Sequence, residues 1–171
     1  MLEVGNLANA TEDRSHFGAW AILSSPLVLS FDLANPDLIE RVWPTISNTR
    51  ILEVNQRWAG DPGRRVALST DGWQAWSKQM AHKAYAIFLM NTGAPTVHTS
   101  LPLRNVSAAF APDIGVCLYD MYAWDFLPRL PPGAPLVAAL SAHDSAFYCA
   151  WPSSSQHGAC DQSYATSGCP R

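Results

Sequence analysis

The stretch SSPLVLSFDL, residues 24–33, decides how the first third of this 171-residue chain folds. Its centre, Leu27–Phe31, is a short and nearly uninterrupted apolar run, and Asp32 follows it directly. Such runs are typical of a parallel strand that is buried on both faces. The sequence therefore predicts a strand over 27–31, with Leu29 buried and with Trp20, from the preceding segment, buried beside it.

Helices are predicted on both sides of this strand. The first covers residues 11–25, with Thr11 in position to cap its N-terminus. A second helix is predicted over 36–43 and is interrupted by Pro44, and a short third helix is predicted near 49–55. Helix, strand and helix amount to one and a half units of an α/β fold. So few units cannot form a stable fold on their own.

The pattern changes after Trp58, where glycine and proline cluster in the segment GDPG at 60–63. From there, runs with strand-like spacing alternate with turn residues about every 8–14 positions, which is typical of an antiparallel sandwich or barrel. Beyond Trp151 the sequence is rich in Ser, Gly and Cys, and we predict an irregular tail. The predicted strands lie near 66–70, 73–79, 84–90, 96–101, 107–110, 116–122, 135–140 and 145–151.

Composition excludes two classes of partner. The net charge is −3, and the eleven basic residues are scattered apart from Arg64 and Arg65, so the footprint of a nucleic-acid-binding protein is absent. The longest apolar run, Ala84–Met90, is far shorter than the roughly 18 residues of a membrane-spanning helix. We therefore expect neither a nucleic-acid nor a membrane partner.

The sequence leaves the cellular compartment and the oligomeric state open. The first six residues, MLEVGN, have no features of a signal peptide. Two glycosylation sequons occur, at Asn9–Thr11 and at Asn105–Ser107, and they matter only if the parent protein is secreted. A secreted or organellar parent and one retained in the cytoplasm both remain open.

The four cysteines are predicted to form one disulfide and two buried thiols. No Cys-x-x-Cys motif is present, so they do not form a metal site. Cys160 and Cys169 lie in the apolar-poor tail and are the expected bridge if the parent protein is oxidised, whereas Cys117 and Cys149 lie in strand-like runs and are expected to be buried thiols. The histidines are dispersed and include no His-x-x-x-His pair, so we expect neither a metal nor a cofactor.

A few carboxylates are candidates for sugar chemistry, because glycoside hydrolysis requires a carboxylate pair. Asp32 follows a predicted parallel strand, where barrel enzymes place their sites, but it can equally order the following loop. Asp120 and Asp125 lie among aromatic residues, which indicates either a sugar platform or a pinned turn. The residues alone reveal no catalytic constellation.

Several motifs with their spacing resemble the α-galactosidase (melibiase) family, glycoside hydrolase family twenty-seven. In the first third they are MLEVGN at 1–6, HF at 16–17, WA at 20–21, SPL at 25–27, DL at 32–33 and VNQ at 54–56. In the second part they are WSK at 76–78, AYAIFLMN at 84–91, LYD at 118–120 and LSAH at 140–143. The resemblance extends over residues 1–151.

The resemblance implies a composite fold, α/β plus all-β. Residues 1–62 would be the last units of a (β/α)8 (TIM) barrel, and residues 63–151 would be a C-terminal antiparallel β-sandwich. Residues 152–171 would follow as an irregular tail that contains cysteines. A complete barrel requires about 250 residues, so this chain can hold only part of one.

The resemblance also implies an activity, the retaining hydrolysis of terminal α-D-galactosides. Both catalytic aspartates lie in family segments that precede the MLEVGN motif, so no catalytic residue is carried over and the chain alone is expected to be inactive. Met1 maps to a sugar-lining position and, with Asp32, is a candidate substrate-binding residue. The alternative function is a non-catalytic carbohydrate-binding or assembly module.

Overall fold

The computed structural model describes residues 1–80, 83–153 and 160, and it begins with three helices. They are α1 (Ala10–Ile22), α2 (Pro36–Ile46) and α3 (Thr49–Gln56). An asparagine caps each of them, because its side-chain oxygen accepts a hydrogen bond from a backbone N–H of the first turn. The three predicted helices are confirmed.

Two details of the helix prediction are wrong. The N-cap of α1 is Asn9 rather than Thr11, because the Asn9 side chain accepts from the Glu12 N–H at 3.0 Å. Pro44 does not end α2, which continues to Ile46. A proline lacks the N–H that would donate to the carbonyl four residues earlier, here that of Glu40, so α2 loses one hydrogen bond near its end and still completes its last turn.

The predicted strand over 27–31 is also wrong. The structure has one isolated parallel bridge there, between Leu2 and Leu29, in which the Leu2 N–H donates to the Val28 carbonyl at 2.8 Å. Val28 is 51% exposed and Leu29 37% exposed, and Trp20 is only partly buried. A parallel strand is buried by neighbours on both edges and both faces, and the described residues supply a single partner segment.

Eight strands follow the helices, and all their pairings are antiparallel as predicted. They are β1 (Arg64–Leu68), β2 (Trp73–Gln79), β3 (Tyr85–Asn91), β4 (Val97–Leu101), β5 (Val116–Asp120), β6 (Asp125–Leu130), β7 (Leu136–Leu140) and β8 (Ser145–Pro152). Six of them form one sheet in the order β1-β2-β3-β8-β5-β6, and β4 and β7 form a second sheet.

One predicted strand is absent and one observed strand was not predicted. Residues 107–110 are not a strand, and the short 3-10 helix Leu103–Asn105 precedes them. The unpredicted strand is β6, which contains Pro128 and is at the edge of the large sheet. An edge strand tolerates proline and shows weak apolar alternation, so the sequence signal for β6 is faint.

The large sheet is covered on both faces. On β3, Ala86 and Phe88 pack toward the three helices, whereas Ile87 and Leu89 pack toward the small sheet. This alternation follows the two-residue period of a strand. The long apolar run at 84–90 is therefore a central strand between two hydrophobic cores.

Polar contacts join the helices to the large sheet. The Arg14 guanidinium forms an ion pair with Asp144 at 2.5 Å, and the Ser15 hydroxyl donates to the His143 carbonyl at 2.8 Å. Gly18 allows close approach here, because a Cβ at this position would lie 2.5 Å from the Phe88 ring. The helical segment is thus fitted closely to the sheet.

The disulfide prediction is wrong. Cys160 is bonded to Cys117 in β5, and Cys149 in β8 is also disulfide-bonded, so neither strand cysteine is a free thiol. The tail prediction for 152–171 lies largely outside the described residues. Low apolar content argued for a local bridge within the tail, but the position of Cys160 against β5 is a tertiary feature that local composition does not encode.

The Cys117–Cys160 bridge is expected to stabilise the fold measurably. It joins residues 43 apart, and closing such a loop restricts the unfolded chain, so loss of this bridge should lower the free energy of unfolding by about 2–4 kcal/mol. The measurement is urea unfolding of the unsubstituted chain and of Cys160→Ala without reductant, which leaves the disulfide of Cys149 in place, together with peptide mapping of the unreduced protein. Recovery of Cys117 as a free thiol from the denatured, unreduced chain would contradict this pairing.

Candidate functional site

The candidate site lies where the two segments of the parallel bridge end. The Ser30 hydroxyl donates to the Leu2 carbonyl and adds a side-chain link to the bridge. Because the segments are parallel, Glu3 and the residues after Leu29 lie at the same, carboxyl end of the pair. In (β/α)8 enzymes this is the end of the strands that carries the active site.

The two predicted substrate-binding residues lie at opposite ends of the bridge. Met1 is at its amino end and Asp32 is at its carboxyl end. Met1 precedes Leu2 and is 70% exposed. Asp32 is exposed at the carboxyl end, and its Oδ1 accepts from the Ala34 N–H at 2.9 Å. No hydrogen bond among the described residues joins Met1 and Asp32, so their shared role stays a prediction.

Glu3 and His16 extend the carboxyl end of the bridge. The Glu3 N–H donates to His16 Nε2 at 3.1 Å, and the Glu3 carboxylate accepts from Asn6 at 3.3 Å. Burial lowers the pKa of His16, although the charges of Glu3 and Asp13 oppose the shift. A lowered pKa keeps the imidazole neutral, which an imidazole nitrogen requires in order to accept a hydrogen bond.

A buried ion pair fixes the loop that follows the first segment. The Asp13 carboxylate is 1% exposed, lies 3.1 Å from Arg41, and accepts from the Gly5 N–H at 2.7 Å. Arg41 also donates to the carbonyls of Gly5 (2.8 Å) and Leu7 (3.3 Å). This contact was not predictable from sequence, because Asp13 and Arg41 are 28 positions apart and no motif links them.

The other predicted acidic candidates hold a turn. Asp120 Oδ1 accepts from the backbone N–H groups of Tyr122 and Ala123, at 2.8 and 2.9 Å. Asp125 Oδ1 accepts from the Phe126 N–H at 2.8 Å. Of the two interpretations open for these acids, the contacts support the pinned turn between β5 and β6.

At the carboxyl end of the bridge, Glu3 and Asp32 can accept hydrogen bonds from sugar hydroxyls. Both carboxylates already accept from neighbouring groups of their own loops, which orients them. Within the described part of the chain, no three His, Cys, Asp or Glu side chains are grouped closely enough to hold a metal ion. No described helix is long and apolar enough to cross a membrane.

Lys78 is a buried cation that the sequence analysis did not single out. It lies in β2, and its Nζ donates to the Ser24 hydroxyl and the Val54 carbonyl, both at 2.5 Å. Val54 is in the last turn of α3, where the helix dipole favours a cation. Burial lowers the pKa of Lys78 to about 8. The amine joins two helical segments to the sheet.

This pKa predicts that stability depends on pH. Lys78 has a lower pKa folded than unfolded, so between about pH 8 and 10.5 the unfolded chain binds more protons and the free energy of unfolding rises with pH. The rise should be about 2–3 kcal/mol, and Lys78→Met should abolish it. Urea unfolding of both proteins at several pH values up to about 10 measures it. Parallel pH profiles of the two proteins would contradict the assignment.

Comparison with known proteins shows that the chain is similar to α-galactosidases over most of its length. It is 29% identical over 153 residues to an α-galactosidase from Coffea arabica, covering 86% of this chain and 38% of that protein. Against α-galactosidase 2 from Arabidopsis thaliana it is 32% identical over 122 residues, covering 71% of this chain and 28% of the relative. No protein-family model matches the chain.

Solved structures show the same fold. An α-galactosidase from Saccharomyces cerevisiae with raffinose superimposes with a TM-score of 0.77 at 21% identity, covering 89% of this chain and 46% of the other. Barrel elements joined to an antiparallel β-sandwich define a class of glycoside hydrolases, and the predicted fold class is confirmed. The chain belongs to the α-galactosidase family of that class and matches its C-terminal part. It spans 28–38% of the length of the first two relatives.

Proposed function

We propose that this chain forms the C-terminal part of a retaining α-galactosidase, with residues 1–62 in the barrel and 63–151 in the sandwich. The observation that carries the proposal is the parallel Leu2–Leu29 bridge, whose carboxyl end is followed by Glu3 and Asp32. Parallel pairing of two consecutive segments across α1 is the local signature of a βαβ unit. The sandwich supports this unit from the other side of α1.

In the proposed enzyme, this chain holds the sugar and the rest of the barrel cleaves it. Retaining hydrolysis uses one carboxylate to attack the anomeric carbon and a second carboxyl group to protonate the leaving oxygen. The second group then acts as a base toward the water that releases the sugar. The family resemblance assigns both carboxyl groups to segments before the MLEVGN motif.

The roles proposed for this chain's own residues follow from their chemistry. The exposed Asp32 carboxylate, at the carboxyl end of the bridge, accepts hydrogen bonds from galactose hydroxyls. The sugar-lining role of Met1, at the amino end of the bridge, rests on the family resemblance alone. The Asp13–Arg41 ion pair holds the loop at Gly5 in place and so fixes the segment between Met1 and α1. Asp13 and Arg41 are positioning residues, because neither is proposed to touch substrate.

The test joins this chain to the preceding part of the Coffea arabica α-galactosidase. The expected result is release of galactose from an α-galactoside by the joined protein. Asp32→Asn should raise KM about tenfold, because one charge-assisted hydrogen bond to the sugar is lost. Asp37→Asn, an exposed acid in the first turn of α2, is the matched control and should leave KM unchanged. A well-folded joined protein without activity would contradict the proposal.

One observation supports the second candidate, a carbohydrate-binding module. A cavity of about 670 Å³ beside α1 is lined by Trp20, His16, Glu12 and His143, among others. An aromatic ring next to carboxylate and imidazole groups suits a sugar ring. Binding of galactose by the chain alone, lost in Trp20→Ala and kept in Trp58→Ala, would favour this candidate over the enzyme part.

A further inference from the structure

A second cavity lies away from the candidate sugar site. It has a volume of about 280 Å³ and lies between α1, α2 and the turn after β5. Its polar lining consists of Thr11, Arg14, Arg41, Thr45, Asn48 and Tyr122. None of Met1, Glu3 and Asp32 lines it, so it is separate from the surface discussed above.

The charges that face this cavity are both positive. Arg14 and Arg41 line it, and no carboxylate is among its described lining residues. The side chains of these arginines remain 37% and 34% exposed although each forms an ion pair. Their hydrogen bonds to described residues all use Nη2, so the Nη1 groups keep their donors for another acceptor.

Two hydroxyls among the other polar groups can donate to an anion. The hydroxyls of Thr11 and Thr45 have no hydrogen-bond partner among the described residues. Asn48 is already used, since its Oδ1 caps α3 and its Nδ2 donates to the Met121 carbonyl at 3.0 Å. The Tyr122 hydroxyl is taken by the Arg14 carbonyl and by Ser145. A ligand here meets two guanidinium groups and two hydroxyls.

We propose that this cavity binds a small oxyanion, a phosphate or the carboxylate of a sugar acid. Guanidinium groups pair with both through short, charge-assisted hydrogen bonds, and two arginines that line one cavity suit a ligand with several oxygens. The positive charges are partly balanced by Asp144 and Asp13, which contact the arginines from outside the lining. We therefore expect weak binding, with a dissociation constant of about 1 mM.

The test compares two variants that break the same ion pair. Arg14→Gln removes a guanidinium from the cavity, whereas Asp144→Asn removes its partner and leaves the guanidinium free. Binding of inorganic phosphate is measured by titration calorimetry at constant ionic strength, maintained with chloride. We expect Arg14→Gln to weaken phosphate binding at least about tenfold and Asp144→Asn to keep or strengthen it.

Two further titrations identify the source of the anion. D-Galacturonate carries a carboxylate and D-galactose does not. Tighter binding of galacturonate than of phosphate indicates that the ligand is a sugar acid, and tighter binding of phosphate than of galacturonate indicates that it is a free phosphate. The proposal would be overturned if neither phosphate nor galacturonate showed saturable binding that is tighter than the binding of galactose. An equal loss of anion binding in Arg14→Gln and Asp144→Asn would overturn it too. These results are independent of galactoside hydrolysis, because the cavity lies apart from the proposed sugar site.

Discussion

Purified alone, this chain is expected to release no galactose from a terminal α-galactoside. A retaining glycosidase requires two carboxyl groups about 5–5.5 Å apart, one to attack and one to protonate. At the carboxyl end of the parallel bridge, Glu3 and Asp32 each accept a hydrogen bond within their own loop and are both exposed. The family resemblance assigns both of the required carboxyl groups to segments that precede the MLEVGN motif, so neither Glu3 nor Asp32 is expected to act as the nucleophile or the proton donor.

The expected effect is large. General acid–base help contributes about 10²–10⁴-fold and the attacking carboxylate contributes further, so without both groups the rate should fall below about 10⁻⁴ of that of the joined protein. The measurement is nitrophenol release from a nitrophenyl α-galactoside by equal amounts of the two proteins. Turnover by the short chain that disappears in Asp32→Asn would contradict the prediction and assign a catalytic role to Asp32.

Arg41→Met is expected to destabilise the fold by about 3 kcal/mol. The variant leaves the Asp13 carboxylate, which is 1% exposed, with no cation beside it. It also removes the donor to the Gly5 and Leu7 carbonyls, so the loop before α1 loses its attachment to α2. The measurement is the free energy of unfolding from urea titration.

Two controls separate the buried charge from other effects of the substitution. Arg104→Met changes an exposed arginine of the 3-10 helix and should alter stability by less than about 0.5 kcal/mol. The double variant Asp13→Asn with Arg41→Met removes both charges and should be more stable than Arg41→Met alone. A double variant less stable than the single one would show that the buried charge is not the cause.

The elements that could be predicted from sequence depend on local signals. Pro36 at the first position of α2 acts within one turn, and the apolar run at 84–90 is visible without any partner strand. The family motifs could be recognised from sequence for a similar reason, because each motif is a contiguous run of residues such as MLEVGN at 1–6. For these features the physical cause lies within a few residues of the effect.

The candidate site was only partly predictable for the same reason. Asp32 was singled out because it follows an apolar run, and its role as a sugar ligand remains a prediction. The contacts of Asp13 and Arg41 with Gly5 were not predicted. In sequence, Asp13 is an ordinary acidic residue of the first helical turn, and only the fold brings Arg41 next to it. By residue type, Lys78 would likewise be expected at the surface. Only the fold shows that its amine is buried and donates to Ser24 and Val54.

By itself, the sequence determined the three helices, the antiparallel second part and the family to which this chain belongs. Tertiary structure alone decided that Cys160 pairs with Cys117, that Leu29 is partly exposed and that Arg14 and Arg41 face one cavity. These features depend on which distant segments become neighbours, and 43 residues separate the two bonded cysteines. Local propensity acts over a few residues, whereas burial and pairing are properties of the assembled layers.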